Sequence, residues 1–445
     1  MCEWLDRLKK IPGTIISISP ETINVFPFEG LLDNLVIVVS HYHEWVDLWR
    51  NETVRVFCLG EIIDDPPQNT FQLLNHPKTT QFIHSLPAPH YILVFKNSAK
   101  IETWARQNHC CLLSAKSTVA RPLENKLRLE SIGSACKINC PSTRIVNLNS
   151  DTFSYCDLNP SEQPFIAQFA KGFSGNRTFL IHSENDFKLL VHRFKNRKIK
   201  TTSFIPGDTW TANGCVNREE ITVDTPFLQV TRINPSREIN LKTVGSRGNI
   251  WGTCPPDLIE KINTAMLKIG DYLRHKGFRG IFGVDFIWNE TLKRLVLIEL
   301  NPRIVASISA RSSLKIKYGG IPLIARHILS FVDDYPKCLN VSDSPLLPSG
   351  QIIYRKGDQY LTRTFKTSGI YHIERQGNRI DRLNFKIKSW RPSEISSEQC
   401  LLWQNSSLEL MINHQRIIFH CRDDESPQRI SNDLFKYISK KNALE

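Results

Sequence analysis

No apolar run in this sequence approaches the ~20 residues that a helix needs to cross a bilayer. Its twelve cysteines include no Cys-x-x-Cys pair. Cys136 and Cys140 lie close together, but no second His or Cys pair follows at zinc-finger spacing. No Gly-x-Gly-x-x-Gly follows the first apolar strand, so the dinucleotide fingerprint is missing and no NAD is expected. There is no internal repeat, no low-complexity tract and no basic arm. These absences argue against a membrane span, a zinc finger, a dinucleotide oxidoreductase and a repeat array. Residues 1–10 read as a short amphipathic helix, and not as a signal peptide, because charges interrupt any apolar core there. The expected compartment is cytoplasmic, with reduced thiols. The adjacent Cys110 and Cys111 are expected in a buried strand, since free Cys packs as a small hydrophobe.

What is present fits an α/β (α+β) enzyme. The 445 residues leave room for roughly three domains of about 150 residues each. The net charge is +13, but Lys and Arg are spread along the chain, so a nucleic-acid partner is not expected. A positive field also suits anionic small-molecule substrates. In residues 1–123, the run Leu35-Val-Ile-Val-Val39 is continuously apolar, as in a strand buried on both faces. Residues 54–58, 91–95 and 110–113 repeat it, with helical patterns at 77–86 and 99–108 between them. Such alternation predicts a parallel sheet. Another helix is predicted to start near Arg121-Pro122.

A long amphipathic helix opens at Pro255-Pro256 and stops near Gly277; Leu258, Ile259, Ile262, Met266, Ile269 and Leu273 form its apolar stripe. A linker is expected at residues 342–350. Strand-like pieces follow at 351–354, 369–373, 407–412 and 416–421, then a helix from 427 to 440. Residues 336–445 thus read as a small β-rich domain with no motif tied to chemistry.

The chemistry is concentrated in residues 280–303. Strands at 282–288 and 295–300 flank a turn at Asn289-Glu290-Thr291. Strict alternation places Val296, Ile298 and Leu300 on one face and Glu299 and Asn301 on the other. Asp285 comes from the neighbouring strand, about 5 Å away. Two carboxylates and an amide oxygen make a hard-oxygen site suited to Mg²⁺ bound together with phosphates. Arg303 follows at once and can grip an anionic oxygen in bidentate fashion. A half-solvated hairpin would also carry such a charged face.

The order Gly-x-Asp-Phe, then Glu-x-Asn-Pro-Arg closing an apolar strand, resembles the metal-binding signature of the ATP-grasp superfamily. The resemblance implies an ATP-grasp fold over residues 124–335, with a lid at approximately 140–205. It also implies a Rossmann-like pre-ATP-grasp domain before that and a small β-rich domain after it. Asp285, Glu299 and Asn301 would hold Mg²⁺, or Mn²⁺, against ATP, and Arg303 would steady an acyl phosphate. Lys126 matches a nucleotide-contacting Lys. Residues 164–183 are similar to the phosphate loop of the lid, with Gln168, Lys171, Ser174 and Gly175 toward the phosphates. The family usually has Lys where this chain has Gln168; Lys171 or Arg177 could supply the charge instead. Ser203, Phe204 and Ile205 resemble the adenine-stacking hinge. The family often has Glu at positions aligned with Thr202 and Thr209, and Asp208 could replace it at the ribose.

The implied activity is ADP-forming ligation of a substrate carboxylate to an amine, or less often a thiol, by a monomer or homodimer. The alternatives are a non-catalytic ATP-binding regulatory module and a biotin-carboxylase-like enzyme.

Overall fold

The computed structural model describes residues 3–26, 28–52, 54–148, 155, 164–170, 177–235, 242–332, 348–355, 369–376, 379–388, 391, 394–396, 399–404, 414–420 and 426–439. Its first sheet contains β1 (Thr14–Ser19), β2 (Leu35–Val39), β3 (Arg55–Cys58), β4 (His90–Val94) and β5 (Cys111–Leu112), in the order β3-β2-β1-β4-β5. All its pairings are parallel. Every residue of β1 and β2 is buried. Ile15, Leu35 and Ile37 pack into one apolar layer, while Ile16, Val36 and Val38 meet Leu73, Ile83 and Trp104 of the helices on the other side.

Sequence patterning missed β1 because Thr14, Ser17 and Ser19 interrupt its apolar run. Those hydroxyls are accommodated locally: Ser17 Oγ accepts from the Phe26 N–H at 3.0 Å, and Thr14 Oγ1 donates to the Pro87 carbonyl at 2.8 Å. The cysteine expectation needs correction, since β5 is only two residues long and Cys111 is exposed. The helix expected to start near Arg121 instead ends there. It spans Ser117–Leu123, and Pro122, which has no N–H to continue the ladder, sits in its last turn.

The second sheet begins with an antiparallel layer: β6 (Thr143–Asn147), β7 (Phe165–Phe169), β8 (Thr178–Ile181) and β9 (Lys198–Ser203), ordered β6-β9-β7-β8. Its outer face, with Phe165, Ala167, Phe169 and Ile199, buries Phe187 and Leu190 of the helix Glu184–Arg193. Ser183 caps that helix by accepting from the Asp186 N–H. Gln168, Lys200 and Thr202 therefore face the opposite way.

The layer joins a larger run of strands through β8 and β13. That run contains β10 (Asp208–Val216), β11 (Ile221–Val223), β12 (Phe227–Pro235), β13 (Lys242–Trp251), β14 (Gly280–Asn289) and β15 (Arg294–Asn301). Of the expected stripe in the helix Pro256–His275, Ile259 is only half-buried, while Leu258, Ile262, Met266, Ile269 and Leu273 are buried. They pack on Phe282, Val284 and Phe286.

The C-terminal strands are β16 (Ser349–Arg355), β17 (Gly369–Gln376), β18 (Arg379–Ile387), β19 (Gln399–Gln404) and β20 (His414–His420), followed by the helix Pro427–Ser439. β16 pairs with β13 and continues the central sheet. The expected linker shortens accordingly, because Ser349 and Gly350 already belong to β16. The strand expected at 407–412 lies outside the described residues, and β18 and β19 were not anticipated. No helix among the described residues is long and apolar enough to cross a membrane.

Candidate active site

Three adjacent strands build the site. In β10, β14 and β15, one rung of the ladder reads Thr211, Asp285, Glu299, and another reads Asn213, Gly283, Asn301. The two expected carboxylates are therefore direct cross-strand partners, with the amide two residues along the same face.

A β-bulge between Asp285 and Phe286 corrects the alternation expected for β15. Phe286 pairs with Leu297 and Asp285 with Glu299, so Ile298 is the extra residue. Leu297 and Leu300 enter the core under the sheet. Ile298 is half-buried and does not share a regular apolar face with Val296 and Leu300.

Burial, followed by the Glu299 charge, raises the Asp285 pKa above the usual carboxylate range; the Thr211 hydroxyl, Lys126 and Gln229 partly offset this. The Thr211 hydroxyl donates to Asp285 Oδ1 at 2.6 Å and accepts from Gln229 Nε2 at 3.3 Å. Two half-buried carboxylates paired across one rung call for a cation, and the Asn301 amide oxygen adds a neutral donor. Among the described residues, no cluster of three or more His, Cys, Asp or Glu side chains offers a competing metal site. The oxygen-only donor set of Asp285, Glu299 and Asn301 fits Mg²⁺ or Mn²⁺.

Cations surround this pair. Lys126 lies in a short 3₁₀ turn, Lys126–Arg128, capped by Asn125, and not in the helix expected there. Its Nζ is 3.1 Å from Glu299 Oε1. Arg303 donates from Nη2 to Asn301 Oδ1 at 3.0 Å and from Nε to Glu124 Oε1 at 2.8 Å. Burial works against ionisation of Glu124, but Arg303 and Lys96 prevail and hold its pKa below the usual value.

Sequence reading missed Thr211, Gln229, Glu124 and Lys200. Lys200 is only 2% exposed. Burial, then the Lys126 ammonium, push its pKa down to about 8.

The remaining expected residues are more scattered. Gln168 donates to Thr178 Oγ1 at 3.2 Å. Lys171, Ser174 and Gly175 lie outside the described residues. Ser203 and Phe204 are exposed and Ile205 is half-buried. Asp208 lines a cavity of about 370 Å³ with Thr209, Leu228, Gln229 and Gln428. Gln229 links this cavity to the Asp285 rung. Gly207 lets the hinge approach β14 closely, since a Cβ there would lie 2.3 Å from the Trp288 carbonyl oxygen.

The family model for the ATP-grasp domain matches residues 123–307, a span that contains every member of this cluster except Lys96. This chain carries an ATP-grasp domain. The solved structures similar to it have the same fold. The biotin carboxylase domain of Hydrogenobacter thermophilus 2-oxoglutarate carboxylase, with MgADP and bicarbonate, gives a TM-score of 0.59 at 10% identity, over 96% of this chain and 89% of that one. N5-carboxyaminoimidazole synthetase from Staphylococcus aureus with ADP gives 0.55 at 14% identity, over 96% and 97%. Carboxyaminoimidazole ribonucleotide synthase from Aspergillus clavatus with ATP gives 0.55 at 11%, over 98% and 100%. No curated protein matches the sequence.

Proposed function

We propose that this chain is an ATP-dependent, ADP-forming ligase that activates a carboxylate as an acyl phosphate and joins it to an amine. The observation that carries this reading is the Asp285–Glu299 rung, with Asn301 on the same face and Lys126 and Arg303 bonded to its members. The reaction needs charge neutralised and reactants aligned more than it needs a covalent protein group. Asp285, Glu299 and Asn301 would hold Mg²⁺, which when bound would neutralise charge on the phosphates. Lys126 adds charge beside Glu299. Arg303 would stabilise the reacting carboxylate and the acyl phosphate. The hinge from Ser203 to Asp208 would take the nucleoside, with Asp208 at the cavity wall. The division into residues 1–123, 124–335 and 336–445 belongs to the same proposal, with the first part bordering the substrate pocket.

A second reading concerns the carboxylate. The three similar structures named above each cover 96% or more of this chain, and one holds bicarbonate. Bicarbonate is therefore the first carboxylate to test.

Melting curves with ATP, with and without Mg²⁺, test the nucleotide site. Ligand at about a hundred times its dissociation constant adds roughly 2.7 kcal/mol, and the gain should require the metal. ADP release is then screened with bicarbonate and with amino acids as carboxylate or amine donors. Unchanged melting with millimolar Mg·ATP would refute the reading. Mg·ATP binding without turnover across the screen would favour the regulatory module.

A further inference from the structure

We propose that Lys200 is the second phosphate-binding amine of this domain, supplying from β9 the charge that Gln168 does not carry on β7. The inference rests on the nucleotide-binding reading above. Gln168 and Lys200 are direct partners in the antiparallel β7–β9 ladder. Their side chains therefore leave the same face of the layer, roughly 5 Å apart at Cβ. That face is opposite the one packed on the helix Glu184–Arg193. The turn Lys126–Arg128 packs against both β7 and β9, and the charges that act on Lys200 are those of Lys126 and Glu299, with Cys140 and Glu130 besides.

The Lys200 side chain is buried, and among the described residues its ammonium forms no hydrogen bond or ion pair. The ammonium nitrogen is not itself fully buried and so opens onto the accessible side of the layer. Lys126 takes the nearby acceptor, Glu299, at 3.1 Å. With its stem buried and the Lys126 charge beside it, this ammonium is poorly hydrated and lacks a counter-ion, so an anion is the partner that completes it. A nucleotide phosphate beside the Asp285–Glu299 pair is the anion that this geometry accommodates. Arg177 does not compete for the role: its guanidinium stacks 5.6 Å from the Phe169 ring, and Phe169 belongs to the outer, helix-packed face.

The test measures Mg·ATP affinity by calorimetry and the melting temperature of the nucleotide-free protein. Lys200→Met should weaken Mg·ATP binding on the order of 10- to 100-fold, as expected for loss of a charge-assisted bond to phosphate. Its nucleotide-free melting temperature should stay the same or rise, because a poorly hydrated charge beside the Lys126 ammonium is gone. A purely structural lysine would give the reverse pattern. Adding Gln168→Lys to Lys200→Met restores an amine on the same face and should recover most of the affinity.

Gln168→Lys alone keeps Lys200 and serves if the methionine variant does not fold. It places one ammonium against another and should gain less than about threefold in affinity. Wild-type binding of Mg·ATP with Lys200→Met within about threefold of it would overturn the role of Lys200 and leave the nucleotide site standing. So would a gain of tenfold or more from Gln168→Lys alone. Failure of the wild type to bind Mg·ATP would overturn both.

Discussion

At the scale of single residues, position divides the labour between Arg303 and Glu299. Glu299 shares a ladder rung with Asp285 and pairs with Lys126, so it belongs to the cation site. Arg303 lies beyond Pro302, held by the side chains of Asn301 and Glu124. Arg303→Ala should lower turnover by on the order of 10² while Mg·ATP affinity changes only a few-fold, since the charge it meets develops in the reaction. Glu299→Gln should weaken Mg·ATP binding as well as turnover. Calorimetry beside ADP-release rates checks both, and near-normal ligation by Arg303→Ala would remove Arg303 from the chemistry. Asp285, Glu299, Asn301 and Arg303 were legible because a short stretch carries them in an ordered motif. Lys200 was not. In Lys198-Ile199-Lys200, alternation correctly puts both lysines opposite the buried Ile199, but no local pattern reveals that this face meets a cleft and not solvent. Thr211, Gln229 and Glu124 were hidden for a related reason: their roles depend on pairings with residues distant in sequence.

At the scale of elements, the bulge in β15 decides which side chains hold the site from below. Regular alternation assigns Ile298 to the core and turns Leu297 outward with Glu299. The bulged ladder does the opposite: Leu297 is fully buried against Val284, Phe286 and the long helix, and Ile298 is the half-buried extra residue. Leu297→Ala should therefore cost about 2–5 kcal/mol, the range for a buried leucine that leaves a cavity. Ile298→Ala should cost clearly less. Denaturant or thermal midpoints of the two variants check this, and a larger loss from Ile298→Ala would restore the regular strand. The long helix was legible in full because its stripe repeats over five turns and proline and glycine mark its ends. A bulge is one residue of slippage set by the partner strand, and periodicity within a single strand does not record it. β1 was lost the other way, its hydroxyls reading as solvent-facing although Thr14 and Ser17 bond to buried backbone.

At the scale of the whole molecule, His327 ties the N-terminal sheet to the sheet that carries the site. It projects from the helix Leu323–Val332; its Nε2 lies 2.9 Å from the carbonyl of Leu113, just after β5. Its Nδ1 accepts the Ile281 N–H of β14 at 3.0 Å. With Nδ1 accepting, Nε2 carries the proton and donates to Leu113, so the neutral ring satisfies both neighbours. Gly280 admits the ring, since a Cβ there would lie 2.6 Å from Nδ1. Protonating Nδ1 would set N–H against N–H in a buried site. Burial accordingly pushes the His327 pKa down to about 4, against a weaker upward pull from the Leu113 carbonyl. The unfolded chain takes up its proton near pH 6.5, whereas the folded chain resists until about pH 4. Stability from this residue is thus complete above about pH 6.5 and falls as the pH drops toward 4. By linkage the loss at pH 5 is about 2 kcal/mol. His327→Gln offers an acceptor and a donor without titrating. Melting temperatures of the two proteins between pH 7 and pH 5 should therefore diverge, the wild type losing more as acid is added. Parallel curves would mean that His327 takes up its proton inside the fold, and that the link between the two sheets tolerates a charge.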